Sequence, residues 1–305
     1  MSLKDVVRFG TVLPHRSATP LSMAQIKRVA QRAEALGFED LWVTENTLDH
    51  AYSLDPFVIL SYAAAVTTRV RLGVAVVVLP MHSPIHIAHQ ALSLDHISNG
   101  RLVLGIGLGR PNDYSDFQVP MERRVRRFRE GIAVMKALWT QQKVNYEGEI
   151  FRLADAGIAL RPVQQPHPPL WLGGSHPDAV RRAVRLGDGW MGGGAQAMDE
   201  FSRCVPLLLR ELEDLQRPAS SFTLSKRVFI AVHKDPKRAK EELQAWFTQV
   251  YRKPQLTDTA AIHGTPAQVA DQLERFCRGG VHHVVLNPVA RYEEQVEMLA
   301  EIISH

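Results

Sequence analysis

The sequence predicts a single (β/α)8 barrel, the TIM-barrel fold of the α/β class, from three observations. First, an amphipathic helix, a glycine and a short apolar strand recur, as in residues 34–43, 184–191 and 276–286. Second, these strands are apolar throughout, which is typical of parallel strands buried on both faces. Third, eight such units fit a chain of 305 residues, which lies within the usual length range of this fold.

Eight strands are predicted, at residues 7–13, 40–43, 71–77, 102–106, 170–172, 189–191, 224–232 and 283–286. Helical periodicity predicts helices between them, including 22–36, 122–139, 177–186, 236–250 and 266–278. The alternative of two doubly wound domains requires a linker, and no stretch rich in Ser, Gly or Pro divides the chain. We therefore expect residues 1–305 to form one domain.

One long, mixed segment interrupts the pattern between the fourth helix and the fifth strand. It spans residues 140–169 and contains four prolines near its end. Long irregular insertions in compact domains often act as lids over a site. A passive surface hairpin is the equal alternative.

Composition limits the classes of function. The chain is 45% hydrophobic and 22% charged, and its net charge of +4 comes from basic residues mixed with acidic ones. We therefore expect no nucleic-acid partner. The longest apolar run, 74–81, is too short to span a bilayer, and the N-terminal residues do not resemble a signal peptide. With only Cys204 and Cys277, a disulfide or a paired-cysteine zinc site is not expected. These features predict a cytoplasmic protein without a membrane partner.

The most informative motif follows the predicted fifth strand. Gly173 and Gly174 lead into a helix for which Ser175 is the expected N-cap, with Asp178 at capping-box spacing. Glycines allow close approach of the backbone to a ligand, and a helix N-terminus offers free N–H groups to phosphate. The spacing is not that of a Walker A loop. The motif therefore predicts a phosphorylated cofactor, with an ordinary strand-to-helix turn as the alternative.

Residues that follow the other strands are candidates because barrel active sites lie at the C-terminal ends of the strands. These positions are rich in glycine and apolar residues, which favours a flat apolar ligand. Glu45 is a candidate base or cofactor contact, with a rim ion pair as the alternative. Arg110 can bind phosphate through two hydrogen bonds, with an exposed surface arginine as the alternative.

The histidines elsewhere in the chain favour structural roles. His82, His86 and His89 have helical spacing, but a metal site also needs convergent ligands from other strand ends, so packing or surface roles are preferred. In His282–His283 only one side chain can point into the barrel, because a strand alternates faces.

The helix at residues 122–130 is rich in arginine. Helical spacing predicts that Val125 and Phe128 face the core while the arginines face solvent. The alternative is an anion-contacting helix at a cofactor tail or a subunit edge.

Several motifs resemble the bacterial luciferase-like family of flavin and deazaflavin oxidoreductases. They are GFEDLWVTE at 37–45, RLGVAVVVLP at 71–80, LDHISNGRLVLGIG at 94–107 and LGDGW at 186–190, together with the glycine turn. The resemblance covers nearly the whole chain. It implies a barrel whose mouth holds the ring of FMN or of coenzyme F420.

The resemblance also implies positions for the cofactor. A non-prolyl cis peptide behind the ring maps to Ala75–Val76, and Glu45 maps to an acidic position beside the ring. The phosphate is expected near a set of loop residues, Leu108, Arg110, Gly173, Gly174, Ser175 and His176.

One position departs from the pattern. Several members of the family carry a catalytic histidine directly after the acidic residue, where this chain has Asn46. Asparagine cannot act as a base near neutral pH. His50 is the nearest histidine in sequence that can substitute, so Asn46 and His50 are the candidate catalytic residues.

The implied activity is that of a luciferase-like monooxygenase, an oxidoreductase that uses reduced FMN and O2 on a small organic substrate. Hydride transfer with F420 is the alternative, and a flavin-binding protein without turnover or a metal-dependent barrel hydrolase are further ones. By the same resemblance, a separate flavin reductase and a second copy in a homodimer are the implied partners.

Overall fold

A computed structural model describes residues 2–304, and eight parallel strands close into a barrel within it, as predicted. The strands of the described residues are β1 (Arg8–Val12), β2 (Arg16–Ser17), β3 (Asp40–Val43), β4 (Tyr52–Ser53), β5 (Arg71–Val78), β6 (Leu102–Gly107), β7 (Val144–Glu147), β8 (Arg152–Ala156), β9 (Leu170–Gly173), β10 (Gly189–Gly192), β11 (Thr223–Val232), β12 (Ala261–Gly264) and β13 (His283–Asn287). The barrel order is β1-β3-β5-β6-β9-β10-β11-β13, and β13 pairs with β1 to close it. β12 extends the far half of β11.

Helices cover the outside of the barrel. They are α1 (Met23–Ala35), α2 (Pro56–Val66), α3 (Pro84–Ile97), α4 (Pro111–Asp116), α5 (Arg124–Thr140), α6 (Pro177–Leu186), α7 (Met198–Asp214), α8 (Pro236–Trp246), α9 (Leu256–Thr259), α10 (Pro266–Cys277) and α11 (Tyr292–Ser304). A π-helical turn, Phe247–Tyr251, continues α8. Six of these helices begin with proline, whose missing N–H would have no acceptor in the first turn.

The eight predicted barrel strands are confirmed, each to within one residue at either end. Three of the five predicted helices agree with α1, α6 and α10 to within one residue at either end. The helix predicted at 122–139 begins two residues later, as α5, and the one predicted at 236–250 ends in the π-helical turn. The predicted strands omitted β12 and two short antiparallel pairs, β2–β4 and β7–β8. These elements lie outside the repeating unit, so the periodic pattern does not reveal them.

The N-terminal end of the barrel is plugged by side chains. Trp42 and Trp171 stack there with ring centroids 5.2 Å apart. Beside them, the buried His283 lies 2.9 Å from an Asp40 carboxylate oxygen and 2.8 Å from the Ser225 hydroxyl. His282 is exposed, which confirms that only one histidine of the pair points inward. This buried network therefore stabilises the closed end of the barrel, away from the strand ends that form the mouth.

The insertion at 140–169 forms the β7–β8 hairpin and packs on the outer wall. The Glu130 carboxylate of α5 accepts hydrogen bonds from the backbone N–H groups of residues 149–151 at 2.9–3.1 Å. Further along, Asp95 of α3 accepts from the N–H groups of Val163 and Gln164. These contacts favour the passive hairpin over a lid.

Two expectations for side chains on the outer wall have different outcomes. Phe128 is buried as predicted, but the prediction for Val125 is wrong, because this side chain is 38% exposed. Val125 lies in the first turn of α5, where it borders an open groove with Arg129 and Leu186 instead of the core. The two cysteines are buried and unpaired.

Candidate functional site

The glycine turn after β9 forms one side of the barrel mouth. Gly174 has a φ of +132°, a conformation that favours glycine, and its carbonyl accepts from the Trp190 indole N–H at 2.7 Å. The predicted N-cap is wrong: His176 caps α6, and its Nδ1 accepts from the N–H of Asp178 at 3.2 Å. The proline after His176 takes the first helical position, so Ser175 lies one residue before the cap and is exposed.

A second glycine loop follows the neighbouring strand β10. The buried Lys226 of β11 donates from Nζ to the carbonyls of Gly193 and Gln196, at 2.5 and 2.9 Å. Burial lowers the pKa of Lys226 to about 7. Cys204 of α7 joins the two loops, because its Sγ lies 3.5 Å from the Ser175 carbonyl and 3.7 Å from the Gln196 amide nitrogen. The two loops are thus held together from behind. We call residues 173–176 and 192–196 the two-loop cradle.

The cradle presents backbone N–H groups that lack acceptors. Within residues 2–304, no protein acceptor pairs with the backbone N–H of Ser175, His176, Gly193 or Gly194. A Cβ added at Gly193 would meet no atom within 4 Å, so the space in front of this loop is open. Free N–H groups beside the N-terminus of a helix form a favourable site for an anion such as phosphate.

An apolar wall lies next to the cradle, at the ends of β5, β6 and β9. The Ala75–Val76 peptide bond is cis, at the position that the resemblance implies. The Val76 side chain occupies the space that side chains at positions 107 and 173 would need. A Cβ at Gly107 would lie 2.6 Å from it, and one at Gly173 would lie 3.1 Å from it. These glycines therefore make room for Val76, so the wall is continuous with the cradle at Gly173.

Glu45 occupies both of its carboxylate oxygens. One accepts from the backbone N–H of Val78 at 2.6 Å, and the other lies 2.6 Å from Nε2 of His82. The Glu45 side chain is 7% exposed and that of His82 is 30% exposed. Glu45 thus ties the end of β3 to the end of β5, beside the apolar wall. Both carboxylate oxygens are thus engaged within the protein, and the role of Glu45 as a base or cofactor contact stays a prediction.

A hydrogen-bonded chain runs from Asn46 to the buried His15. The Asn46 amide donates to the Thr44 hydroxyl at 2.6 Å, which lies 2.9 Å from Nε2 of His15. The same Nε2 accepts from the Thr44 backbone N–H at 2.8 Å, so the ring proton is on Nδ1 and points to the Leu13 carbonyl. Burial lowers the pKa of His15 to about 4, so the ring is neutral near pH 7. Asn46 is therefore held at the mouth by a neutral chain.

Arg227 is a functional candidate that the sequence predictions missed. It lies on β11, two residues beyond Ser225, and strand alternation places both on the inner face of the barrel. Its guanidinium donates to Asn287 Oδ1 at 2.6 Å and lies 5.0 Å from the centre of the Phe229 ring. The available signal was the run of three polar residues, Ser225–Arg227, inside a mostly apolar strand, because strand alternation directs the first and third of them to the same face.

The rim above the mouth carries a second arginine that was not predicted as a site residue. Arg16 pairs with Asp49 at 2.5 Å, and both side chains are largely buried. Its guanidinium lies 5.8 Å from the Trp246 ring and 5.5 Å from the Tyr251 ring. These aromatic residues come from the end of α8 and its π-helical turn, which sequence periodicity predicted as plain helix.

The remaining predicted residues lie farther out on the rim. The Arg110 side chain is 80% exposed and pairs with Asp113 at 3.0 Å, while the Leu108 carbonyl accepts from the Tyr114 hydroxyl at 2.6 Å. His50 is exposed in the loop after β3 and has no hydrogen-bond partner within residues 2–304. The structure therefore joins Glu45, the wall and the cradle, but brings neither Arg110 nor His50 into contact with them.

Two further observations concern metal ligands and membrane-spanning helices. In the described part of the chain, no group of three His, Cys, Asp or Glu side chains is placed to hold a metal ion. His82 pairs with Glu45, whereas His86 and His89 are exposed on α3. Over residues 2–304, no helix has the length and apolar character to cross a bilayer.

Sequence comparison finds relatives of known and unknown activity. The chain is 34% identical over 209 residues to an uncharacterized protein of Mycobacterium tuberculosis. The matched segment covers 61% of this chain and 72% of that protein. It is 28% identical over 239 residues to an F420-dependent glucose-6-phosphate dehydrogenase of Kineococcus radiotolerans, covering 75% of this chain and 70% of the relative.

Solved structures share the whole fold. The monooxygenase RslO1 of Streptomyces bottropensis superposes with a TM-score of 0.84 at 22% identity, covering 97% of this chain and 98% of the other. An F420-dependent secondary alcohol dehydrogenase gives a TM-score of 0.84 at 19% identity with the same coverage. The family described as luciferase-like monooxygenase matches residues 7–283. This chain therefore belongs to the luciferase-like monooxygenase family.

Proposed function

We propose that the protein is a flavin-dependent monooxygenase that uses reduced FMN and O2 on a small organic substrate. The observation that carries this proposal is the two-loop cradle beside the apolar wall at Ala75–Val76. Unpaired N–H groups suit a phosphate, and a flat apolar wall next to them suits an aromatic ring. Family membership adds that luciferase-like monooxygenases are the related enzymes.

The residues present fit such a cofactor. Ser175, His176, Gly193 and Gly194 would hold the phosphate through backbone N–H groups, and Val76 would support the ring. When bound, reduced FMN supplies electrons to O2, whereas F420 supplies a hydride. The protein's own residues would orient the ring against the uncharged apolar wall. They would also hold Asn46 at the mouth through the neutral hydrogen-bonded chain to His15.

His82 replaces Asn46 in this proposal as the group that takes or gives a proton. Asn46 cannot act as a base, and His15 is buried and neutral. His82 is partly exposed and pairs with the Glu45 carboxylate, which orients its ring. A His82→Gln variant should lower kcat by about a hundredfold or more, while His50→Gln should leave kcat near the wild-type value. The reverse result would return the role to His50.

Hydride transfer with F420 is the second candidate. The observation that favours it is the 28% identity to an F420-dependent dehydrogenase over three quarters of this chain. The cradle and the wall suit either cofactor, because both carry a phosphate and a flat tricyclic ring.

The first test is a titration of the purified protein with FMN and with F420, followed by absorbance and fluorescence. Tight FMN binding, with substrate-dependent O2 consumption when a flavin reductase is added, supports the monooxygenase. Tight F420 binding without O2 consumption supports hydride transfer. Tight binding without turnover over a broad substrate panel supports a flavin-binding protein. Binding of neither cofactor refutes all three.

Two partners belong to the proposal. A monooxygenase of this kind needs reduced FMN from a separate reductase, and a homodimer is the expected assembly by family analogy. Light scattering on the purified protein gives the mass of the assembly. A monomeric mass at micromolar concentration would contradict the dimer without affecting the cofactor assignment.

A further inference from the structure

Most hydrogen-bond donors of the Arg227 guanidinium have no acceptor among the described residues. Within residues 2–304 its one hydrogen-bond acceptor is Asn287 Oδ1, at 2.6 Å. No carboxylate of the described residues forms an ion pair with it. Of its five N–H donors, four therefore remain available. The Arg227 side chain is only partly buried, so these donors face the mouth.

The other charged groups near the mouth already have partners, and Lys226, behind the cradle, donates to two backbone carbonyls. Arg16 is bonded to Asp49, Arg110 to Asp113, and Glu45 to His82. Burial of an unpaired charge is costly unless a partner of opposite charge joins it. Among the described residues of the mouth, Arg227 thus has a guanidinium without a carboxylate partner.

Arg227 stands across the barrel from the apolar wall, and its guanidinium borders the cradle at Gly194. In the closed order of eight strands, β11 is the seventh and β5 is the third, so the two strands stand opposite each other. The ring is proposed to lie against Val76 of β5. Its exposed face would then look across the mouth towards Arg227 and Asn287.

Neighbouring side chains orient the guanidinium. Asn287 fixes one nitrogen, and Phe229 lies against the group at 5.0 Å. Gly194 gives it space, because a Cβ there would lie 2.8 Å from an Arg227 nitrogen. A guanidinium held in this way is preorganised to bind a carboxylate or phosphate through two parallel hydrogen bonds.

We infer that the substrate carries an anionic group, a carboxylate or a phosphate, and that Arg227, supported by Asn287, binds this group on the open side of the cofactor ring. The inference rests on the proposed function, because it needs the ring to occupy the opposite wall. It adds a substrate class and a specificity-determining residue to that proposal.

The test uses protein loaded with whichever cofactor binds in the titration. Three anionic probes, acetate, benzoate and phenyl phosphate, are compared with acetamide, benzamide and phenol. Binding is followed by perturbation of the cofactor absorbance and by the shift in Tm. The variants are Arg227→Gln, Arg227→Lys and, as a matched loss of one charge, Arg210→Gln on the exposed face of α7. Circular dichroism of each variant confirms folding.

We expect at least one anionic probe to bind about tenfold or more tightly than its neutral counterpart. Arg227→Gln should abolish this preference, Arg227→Lys should retain part of it, and Arg210→Gln should retain all of it. The inference is overturned if no anionic probe is preferred, or if the preference survives Arg227→Gln.

Two further outcomes are distinguishable. If Arg227→Gln weakens binding of FMN but not of riboflavin, then Arg227 holds the cofactor phosphate, and the substrate assignment is overturned. If neither FMN nor F420 binds the wild-type protein, the proposed function itself fails before any probe is added, and this inference fails with it.

Discussion

Gly193 offers a way to block the cradle without disturbing the fold. A Cβ at this position would meet no atom within 4 Å, and its φ is not in the left-handed region. Gly174 is a poor choice in comparison, since its φ is +132° and a Cβ would lie 2.7 Å from Ala179. We therefore predict that Gly193→Val folds normally, with a free energy of unfolding within about 1 kcal/mol of the wild type.

The same change should strongly weaken binding of FMN. A valine side chain would occupy the open space in front of the N–H groups of Gly193 and Gly194. A hydrogen bond to a charged group contributes about 1.5–3 kcal/mol. Loss of one such bond therefore lowers affinity by about tenfold to a hundredfold.

Riboflavin serves as the matched ligand because it has the ring but no phosphate. Fluorescence titration of both ligands against the wild type and Gly193→Val gives four dissociation constants. The affinity for FMN should fall while that for riboflavin stays the same. If both affinities fall together, or if neither changes, the phosphate does not lie at this loop and the cradle assignment is incorrect.

The remaining predictions concern buried titratable groups. The pKa of His15 is lowered from 6.5 to about 4, so the unfolded chain binds the extra proton between these values. Stability should fall by up to about 3 kcal/mol from pH 6.5 to pH 4, and urea titrations of His15→Gln should lack this part of the loss. The pKa of Lys226 is lowered from 10.5 to about 7, so stability should rise above pH 7. Lys226→Met should reduce the slope measured between pH 7 and 9, and an unchanged slope would contradict the assignment. Asp40→Asn breaks the buried pair with His283 and should cost about 3–5 kcal/mol in chemical denaturation, with cofactor affinity unchanged.

The fold was largely predictable because its information is periodic. A glycine after each helix and an apolar run after each glycine define the repeating unit, and burial on both faces requires those runs to be apolar. Features outside the repeat were not predictable in this way. The β7–β8 hairpin depends on the Glu130 carboxylate, which lies 19 residues away from the nearest N–H that it binds.

The candidate site was predictable in part. The glycine turn after the fifth barrel strand and the cis peptide bond at Ala75–Val76 have the predicted backbone positions, while their role in binding a cofactor stays a prediction. Roles that depend on a partner side chain were not accessible. The sequence does not indicate that Glu45 pairs with His82, 37 residues away, or that Arg227 meets Asn287, 60 residues away.

The N-terminal end of the barrel serves stability, and the C-terminal end serves the proposed chemistry. The pairing of charged groups differs between the two ends accordingly. At the N-terminal end, Asp40 and His283 are fully buried and face each other. At the C-terminal end, Arg227 is partly exposed and faces an amide instead of a carboxylate. A carboxylate in place of Asn287 would neutralise the guanidinium and thereby remove its capacity to bind an anion, with loss of the hydrogen bond from the Asn287 amide to the Pro288 carbonyl. An Asn287→Asp variant should accordingly lower the affinity for the anionic probes, whereas this affinity would stay unchanged if Arg227 were a structural residue alone.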